Sequence, residues 1–327
     1  MVKRLLLACA LAGCGAFEEP SIVLDLRVIG MVADPPEQIV HVDLSDPTNT
    51  DVVDDLKPVK VTAYVADPNK HRKLRWSMML CLVDKEGRCD LSKPYKDMGG
   101  GEIEDPDDAS TPQHPSAEVF GDRDVNYLVM LRDAIEANPV QAIGGVDLTV
   151  MLRVGGVDEP PENDRYAAKL VRISPDYPAG RTANHNPEID DVDSASTTDS
   201  GAKVGERRCA DDPTTVVAAP MRTGGTITLF PLEHDGTREH YVAPTLDGES
   251  VMLDESVSYQ WLATAGSWSD ETTGGGHDIL GNQSLLGSDW TAPRTVPHDN
   301  YHVSIWMIQR DERLGVRVYE TCISVSP

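Results

Sequence analysis

Strand-length segments in which apolar and polar residues alternate recur along most of this 327-residue chain. In "VKVTAYVAD", Val59, Val61, Ala63 and Val65 share one face while Lys60, Thr62 and Tyr64 share the other. A period of two gives a strand one side for a core and one for water, as antiparallel sheets require. "LRWSMMLCL" places Leu74, Trp76, Met78 and Leu80 together, and "VDLTVMLRV" does the same with Leu148, Val150, Leu152 and Val154. "SIVLDLRVIGMV" and "RYAAKLVRIS" complete an amino-terminal set. One segment breaks the rule. In "DVNYLVMLRDAIEANP", Tyr127, Leu128, Leu131 and Ile135 fall on one helical face, an Asp precedes the run and Asn-Pro closes it. The 23 prolines and 26 glycines are spread between segments, as short strands joined by turns demand. The stretch "GGGEIEDPDDASTPQHP" (99–115) reads as an acidic loop.

A chain of this length suggests two domains. The best boundary is "YPAGRTANHNPEIDDVDSASTTDSG", which has turn residues, many Asp and Ser, and no apolar run. Residues 22–178 then form a first domain, 179–200 an acidic linker and 201–327 a second domain. The second carries "GTITLFPLE", "VSYQWLATAGSW", "YHVSIWMIQRD" and "GVRVYETCISV", the last two reading as a hairpin across "DERLG". Each domain has a Trp in a middle strand, Trp76 and Trp261, where an immunoglobulin-like sandwich keeps a large aromatic between its sheets. The series Tyr-x-Trp, "DWTAP", "YHVSIWMIQRD" and closing hairpin resembles the immunoglobulin-like and PKD-like modules of bacterial surface proteins over 184–327, and more weakly in the first domain. "NHNPEIDDV" is similar to the Asn-Pro start of cadherin-like repeats. The resemblance implies a mostly β chain of two immunoglobulin-like antiparallel β-sandwich domains, the first with a helical insertion. No Cys lies in the second strand of either domain, so the inter-sheet disulfide of antibody domains is not expected.

At the amino terminus, Lys3 and Arg4 precede the eight-residue apolar run Leu5–Ala12. A spanning helix needs about 20 apolar residues, so the run reads as a secretory signal. Its ending, Leu11-Ala12-Gly13-Cys14, resembles the lipobox of bacterial lipoproteins. That resemblance implies removal of residues 1–13, a diacylglycerol on Cys14, a lipidated tether over 14–21 and a membrane partner reached through the lipid (palmitate among its acyl chains). Gly15 in place of Asp implies, by the same analogy, delivery to the outer membrane, on its periplasmic face or at the cell surface. Four further cysteines, Cys81, Cys89, Cys209 and Cys322, allow three disulfide connectivities in an exported chain. The short loop "CLVDKEGRC" favours Cys81–Cys89, which leaves Cys209–Cys322.

With 54 acidic against 29 basic residues, the formal charge is −25. Such a surface repels phosphate backbones, so no nucleic-acid partner is expected. No Gly-x-Ser-x-Gly, His-Glu-x-x-His, Gly-x-Gly-x-x-Gly or Walker-type motif occurs. His298 and His302 stand four apart, but on a strand that is about 13 Å, too far for one ion. His234 and His240 flank a turn and could meet across a hairpin. Asp190, Asp191, Asp193 and Asp199 are candidate calcium ligands at the domain junction, although they lack the EF-hand order. Glu102, Glu104, Asp105, Asp107 and Asp108 form a second acidic group. A solvated linker is the plainer reading of the first cluster, and no cofactor beyond structural calcium is expected. The expectation is a non-catalytic, membrane-anchored lipoprotein with a structural, adhesive or assembly role. The alternatives are a glycan- or peptide-binding module of the envelope, with Trp268 and Trp290 stacking on sugar rings (although a packed loop anchor is the plainer reading of Trp290 in "DWTAP"), and a hydrolase with an unrecognised site.

Overall fold

The computed structural model describes residues 20–41, 51–106, 114–138, 144–196, 199–209, 221–245, 247–276 and 284–327. The first unit contains β1 (Arg27–Asp34), β2 (Glu37–Val40), α1 (Asp51–Asp55), β3 (Val59–Ala66), β4 (Leu74–Cys81), β5 (Lys96–Ile103), β6 (Ser116–Val119), α2 (Val125–Ala137), β7 (Val146–Gly156) and β8 (Arg165–Pro175). Its strands form two sheets, β1-β3-β6 and β2-β8-β7-β4-β5. The second unit begins with β9 (Asp191–Ser196), β10 (Asp199–Lys203), β11 (Met221–Arg222), β12 (Thr226–Leu232), β13 (His240–Pro244) and β14 (Ser250–Asp254). It continues with β15 (Val257–Ala263), β16 (Ser267–Trp268), β17 (Thr272–Gly275), β18 (Ser288–Thr291), β19 (Tyr301–Asp311) and β20 (Val316–Ser326). These give the sheets β10-β9-β12-β18-β16 and β11-β20-β19-β15-β17, plus the separate hairpin β13-β14.

The two units share one topology. In each, an early short strand runs parallel to the last strand (β2 with β8, β11 with β20) while the rest of that sheet is antiparallel. The order is short strand, last, penultimate, then the central Trp-bearing strand and its edge partner. This is the immunoglobulin-like arrangement, so both units are immunoglobulin-like β-sandwiches. Trp261 is fully buried in the second core. Trp76 is half-buried against the first. α2 is the expected helix and connects β6 to β7. Asp124 caps it by accepting from the Asn126 N–H at 2.9 Å, and Tyr127, Leu128, Met130 and Leu131 bury its inner face. The disulfides are Cys81–Cys89 and Cys209–Cys322.

Three stretches differ from the sequence reading. Residues 96–103 are strand β5, although 99–115 reads as a loop. Gly99–Gly101 hide the alternation, and a Cβ at Gly100 would sit 2.4 Å from the Trp76 carbonyl oxygen, so the edge strand passes close because it lacks side chains. Asp191–Ser196 of the acidic linker is strand β9, paired with β12. Val192 is the one apolar side chain of "DVDS", so no hydrophobic run announces the strand. Finally, β1 starts at Arg27. The chain before it crosses to the other unit, where Val23 N–H donates to the Ala263 carbonyl at 2.8 Å and Ala263 N–H to the Ser21 carbonyl at 2.9 Å.

The sandwiches do not simply follow one another. β1 and β3 direct Met31, Ala33, Val61 and Ala63 into the first core. Their opposite faces send Ile29 and Ala66 into a separate apolar seam with Leu262, Trp306, Ile308 and Val318 of the second unit. The outer face of one sandwich is therefore buried against the outer face of the other. Gly30 lies in this seam, where a Cβ would stand 2.8 Å from the Val318 Cγ2. Gly30→Val is expected to force the sheets apart and cost roughly 1–3 kcal/mol, as overpacking of a filled core does. Urea unfolding measures this, and an unchanged midpoint would show the two faces are not in contact.

Candidate functional site

The connector from Arg181 to Glu188 runs between the sandwiches, and the polar chemistry of the chain converges around it. Glu37 opens β2 and is only 2% exposed. Its carboxylate accepts from the Ser174 hydroxyl, from Arg181 Nη2 at 2.8 Å, from the Asn184 N–H at 2.8 Å and from Arg313 Nη2 at 2.9 Å. Burial alone would raise its pKa. The Ser174 hydrogen bond and the Arg181 and Arg313 guanidiniums outweigh that and hold it below the ordinary glutamate value.

Arg313 comes from the tight turn between β19 and β20. Asp311 shapes that turn by accepting from the N–H groups of Arg313 and Gly315, at 2.8 and 2.7 Å. Asn184 Nδ2 donates to Asp311 and to the Arg313 carbonyl, both at 3.0 Å. Asn186 bridges the units directly, donating to the Ala33 carbonyl at 2.8 Å and accepting from the Val316 N–H at 2.9 Å. From β8, the buried Lys169 reaches the Leu314 carbonyl. Burial pushes the Lys169 pKa down to about 8, with the Asp311 carboxylate opposing the fall.

Beside this clamp lies a cleft of about 530 Å³. Its walls come from the end of β1 through Pro36, the connector, the turn between β12 and β13, and the start of β20. Glu255, only 3% exposed, lines it. One oxygen, Oε2, accepts from the Glu239 N–H at 3.3 Å, while Oε1 has no hydrogen-bond partner among the described residues. Burial and then the Asp311 carboxylate, with Glu239 adding to them, push the Glu255 pKa up to about 8; the Glu239 N–H and Arg313 pull the other way. The cleft histidines are engaged locally. His185 Nδ1 lies 2.8 Å from Glu239, and His234 Nδ1 accepts from the Gly236 N–H at 3.0 Å.

The residues singled out from the sequence fall elsewhere. Trp268 and Trp290 do not offer ring faces to a sugar, because both are core residues. Trp290 is fully buried with its indole N–H on the Ala265 carbonyl at 3.0 Å, and Trp268 packs against Trp261 with ring centroids 5.3 Å apart. The four linker aspartates are strung along backbone strands. Asp191 accepts from the Tyr319 hydroxyl at 2.6 Å, Asp193 from the Ser194 N–H at 2.7 Å, the Asp190 N–H serves the Leu232 carbonyl, and Asp199 belongs to β10. Among the described residues no group of three acids, histidines or cysteines is placed to share a metal ion.

Glu102 and Glu104 pair with Lys73, and Asp105 with His71; Asp107 and Asp108 lie outside the described residues. His240 pairs with Asp254 rather than meeting His234. His298 precedes β19 and His302 lies within it. Cys14 and the lipobox lie outside the described residues. The sequence reading missed Glu37, Arg181, Arg313 and Glu255. Only the dense polar run "RTANHNPE" hinted that this connector does more than span a gap.

No protein-family model matches the chain, and no curated protein matches it either. Among solved structures, the two tandem V-type regions of VCBP3, a v-region-containing chitin binding protein, align at 10% identity and a TM-score of 0.24, over 92% of this chain and all of that one. Alpha-2-macroglobulin of E. coli in its native conformation aligns at 8% identity and a TM-score of 0.21, over 94% of this chain and 17% of that one. Similarity at that level supports no argument, and the immunoglobulin-like assignment rests on strand order.

The two buried glutamates make opposite predictions. Arg313→Ala leaves Glu37 with one guanidinium in place of two and is expected to cost about 3 kcal/mol, measured by urea unfolding at pH 7. Glu255 keeps its proton in the fold over a range where the unfolded chain has lost it, from the ordinary glutamate value of 4.5 to about 8. Its contribution to stability therefore falls as pH rises through that window and levels off above it. Glu255→Gln removes this loss. The variant should gain on the wild type by something of order 3 kcal/mol between pH 5 and pH 8.5, and parallel pH profiles would refute the assignment.

Proposed function

We propose that this chain is an exported lipoprotein, anchored to the outer membrane through Cys14, that holds a rigid pair of immunoglobulin-like sandwiches in a structural, adhesive or assembly role at the cell envelope, without catalysis. The observation that carries the role is the junction. A shared apolar seam, two bridging asparagines and a buried carboxylate with two arginines bind the units into one body. A flexible pair of binding modules would need none of these. A body of fixed shape can set a distance or present a surface at a constant angle. The Leu11-Ala12-Gly13-Cys14 motif supports the anchor, and the two disulfides fit an oxidising compartment. Gly15 supports the outer membrane over the inner, facing the periplasm or the exterior. The partner is an envelope protein.

A second reading, a peptide-binding envelope module, is favoured by the cleft at the junction. Glycan stacking loses its basis with the burial of Trp268 and Trp290. In cells producing the full chain and fed labelled palmitate, the wild type should carry label and sediment with membranes. Cys14→Ser should lose the label and leave the membrane fraction; a variant that stays labelled would remove the anchor from this reading. Protease treatment of intact cells then distinguishes the two faces.

A further inference from the structure

The junction cleft combines features that no structural role explains. Among the described residues, five carboxylates line it, those of Asp34, Glu188, Glu206, Glu239 and Glu255, against one lining guanidinium, that of Arg317, which lies 3.3 Å from Glu206; from behind the wall Arg313 reaches Glu239 at 3.2 Å. Glu255 is the innermost in exposure terms, more than nine-tenths buried, yet its Oε1 has no hydrogen-bond partner among the described residues. Buried acids are ordinarily satisfied, as Glu37 is by four donors a short distance away. Apolar surface from Val32, Pro35, Pro36 and Val318 forms part of the same walls. A cleft with a carboxylate partnered at only one of its oxygens, further acids and apolar sides matches a long side chain that ends in a cation. Such groups lay methylenes along apolar surface and present the charge at the tip. A metal ion is a poorer match, because no three ligating groups converge among the described residues.

We propose that the junction cleft binds an ammonium or guanidinium group on an aliphatic stem, as a lysine or arginine side chain of a partner polypeptide carries, with the Glu255 carboxylate as its counter-ion. The site needs no contribution from the anchor. Binding converts the Glu255 carboxyl to carboxylate, the cation takes the ion-pair position, and the proton passes to solvent. The groups that set this balance are Glu239 and Arg238 from the turn before β13, Tyr241 on β13, Asp311 at the end of β19 and Arg313 in the turn that follows. The rim contributes Asp34, Glu188, Glu206, Arg317, His185 and His234.

The test is calorimetric titration of the full chain in detergent with four probes: blocked lysine, blocked arginine, blocked glutamine and spermidine. The two cationic amino acids should bind at least tenfold more tightly than blocked glutamine. With the Glu255 carboxyl titrating at about 8, affinity for them should rise about tenfold between pH 7 and pH 9. Near pH 7, buffers of different ionisation enthalpy should report proton release approaching one per cation bound. Glu255→Gln should abolish both the preference and the proton release. Equal binding of all probes, no binding, absence of proton release in the wild type, or undiminished cation binding by Glu255→Gln would each overturn the proposal. Proton release is read on the wild type, so the test stands even where the variant folds poorly. Tighter binding of spermidine than of blocked lysine would make a free polyamine the source of the cation; the reverse order makes it a polypeptide. Palmitate labelling and cation binding fail independently, so loss of one reading leaves the other standing.

Discussion

A glutamate carboxylate removed from water is tolerated only when the fold returns the hydrogen bonds that water supplied, and Glu37 shows how far that demand reaches. Its donors come from β8, from two points on the connector and from the turn between β19 and β20. To satisfy one side chain, the first sandwich, the linking segment and the end of the second sandwich must be in place together. Whether such a network adds net stability over an apolar substitute is a separate question, since well-packed hydrophobic replacements of buried ion pairs are often neutral or better. Its distinctive effect is geometric. An apolar seam tolerates sliding, whereas a carboxylate with a guanidinium at 2.8 Å and another at 2.9 Å tolerates one arrangement.

The seam explains a feature of the sequence that alternation alone does not. In "VSIWMIQ" every second residue should be polar if one face of the strand met water. Instead Val303, Ile305 and Met307 enter the sandwich core while Trp306 and Ile308 enter the seam. A strand buried on both sides reads as a near-continuous apolar run. Such a run at the end of the chain could have been recognised as a strand covered on both faces, though nothing in it says by what.

What was legible in the sequence was local. The alternating strands, the capped helix and the Cys81–Cys89 loop depend on residues close together in the chain. What was hidden depends on side chains that meet only in three dimensions. Glu37 and Arg313 are 276 positions apart. Trp290 reads as a loop aromatic because "DWTAP" carries turn residues, with a packed anchor the favoured role, yet it lies in strand β18. It is buried because Gly266, at φ 94°, brings backbone against its indole, where a Cβ would stand 2.5 Å from the ring nitrogen. The β5 and β9 strands escaped for the converse reason, since glycines and aspartates supply backbone pairing without an apolar signature.

Glu37 and Glu255 are nearly equally buried, at 2% and 3% exposure, and burial pushes both toward the neutral form. Partners then separate them. Glu37 faces two guanidiniums and stays charged, whereas Glu255 faces Asp311 and Glu239 as well as Arg313 and keeps its proton. An acid in the second condition weakens the fold wherever it must ionise, and a glutamine at the same position would avoid that cost. The rigidity supplied by Glu37 is what allows Glu255 to remain unsatisfied, because a junction free to shift would relax until the loose oxygen found a donor or reached water. Pairs of titratable groups whose surroundings drive their pKa values apart concentrate where a protein binds or reacts. The locked side of this junction and its unsatisfied side are thus one device: the first fixes the geometry in which the second can select a cation.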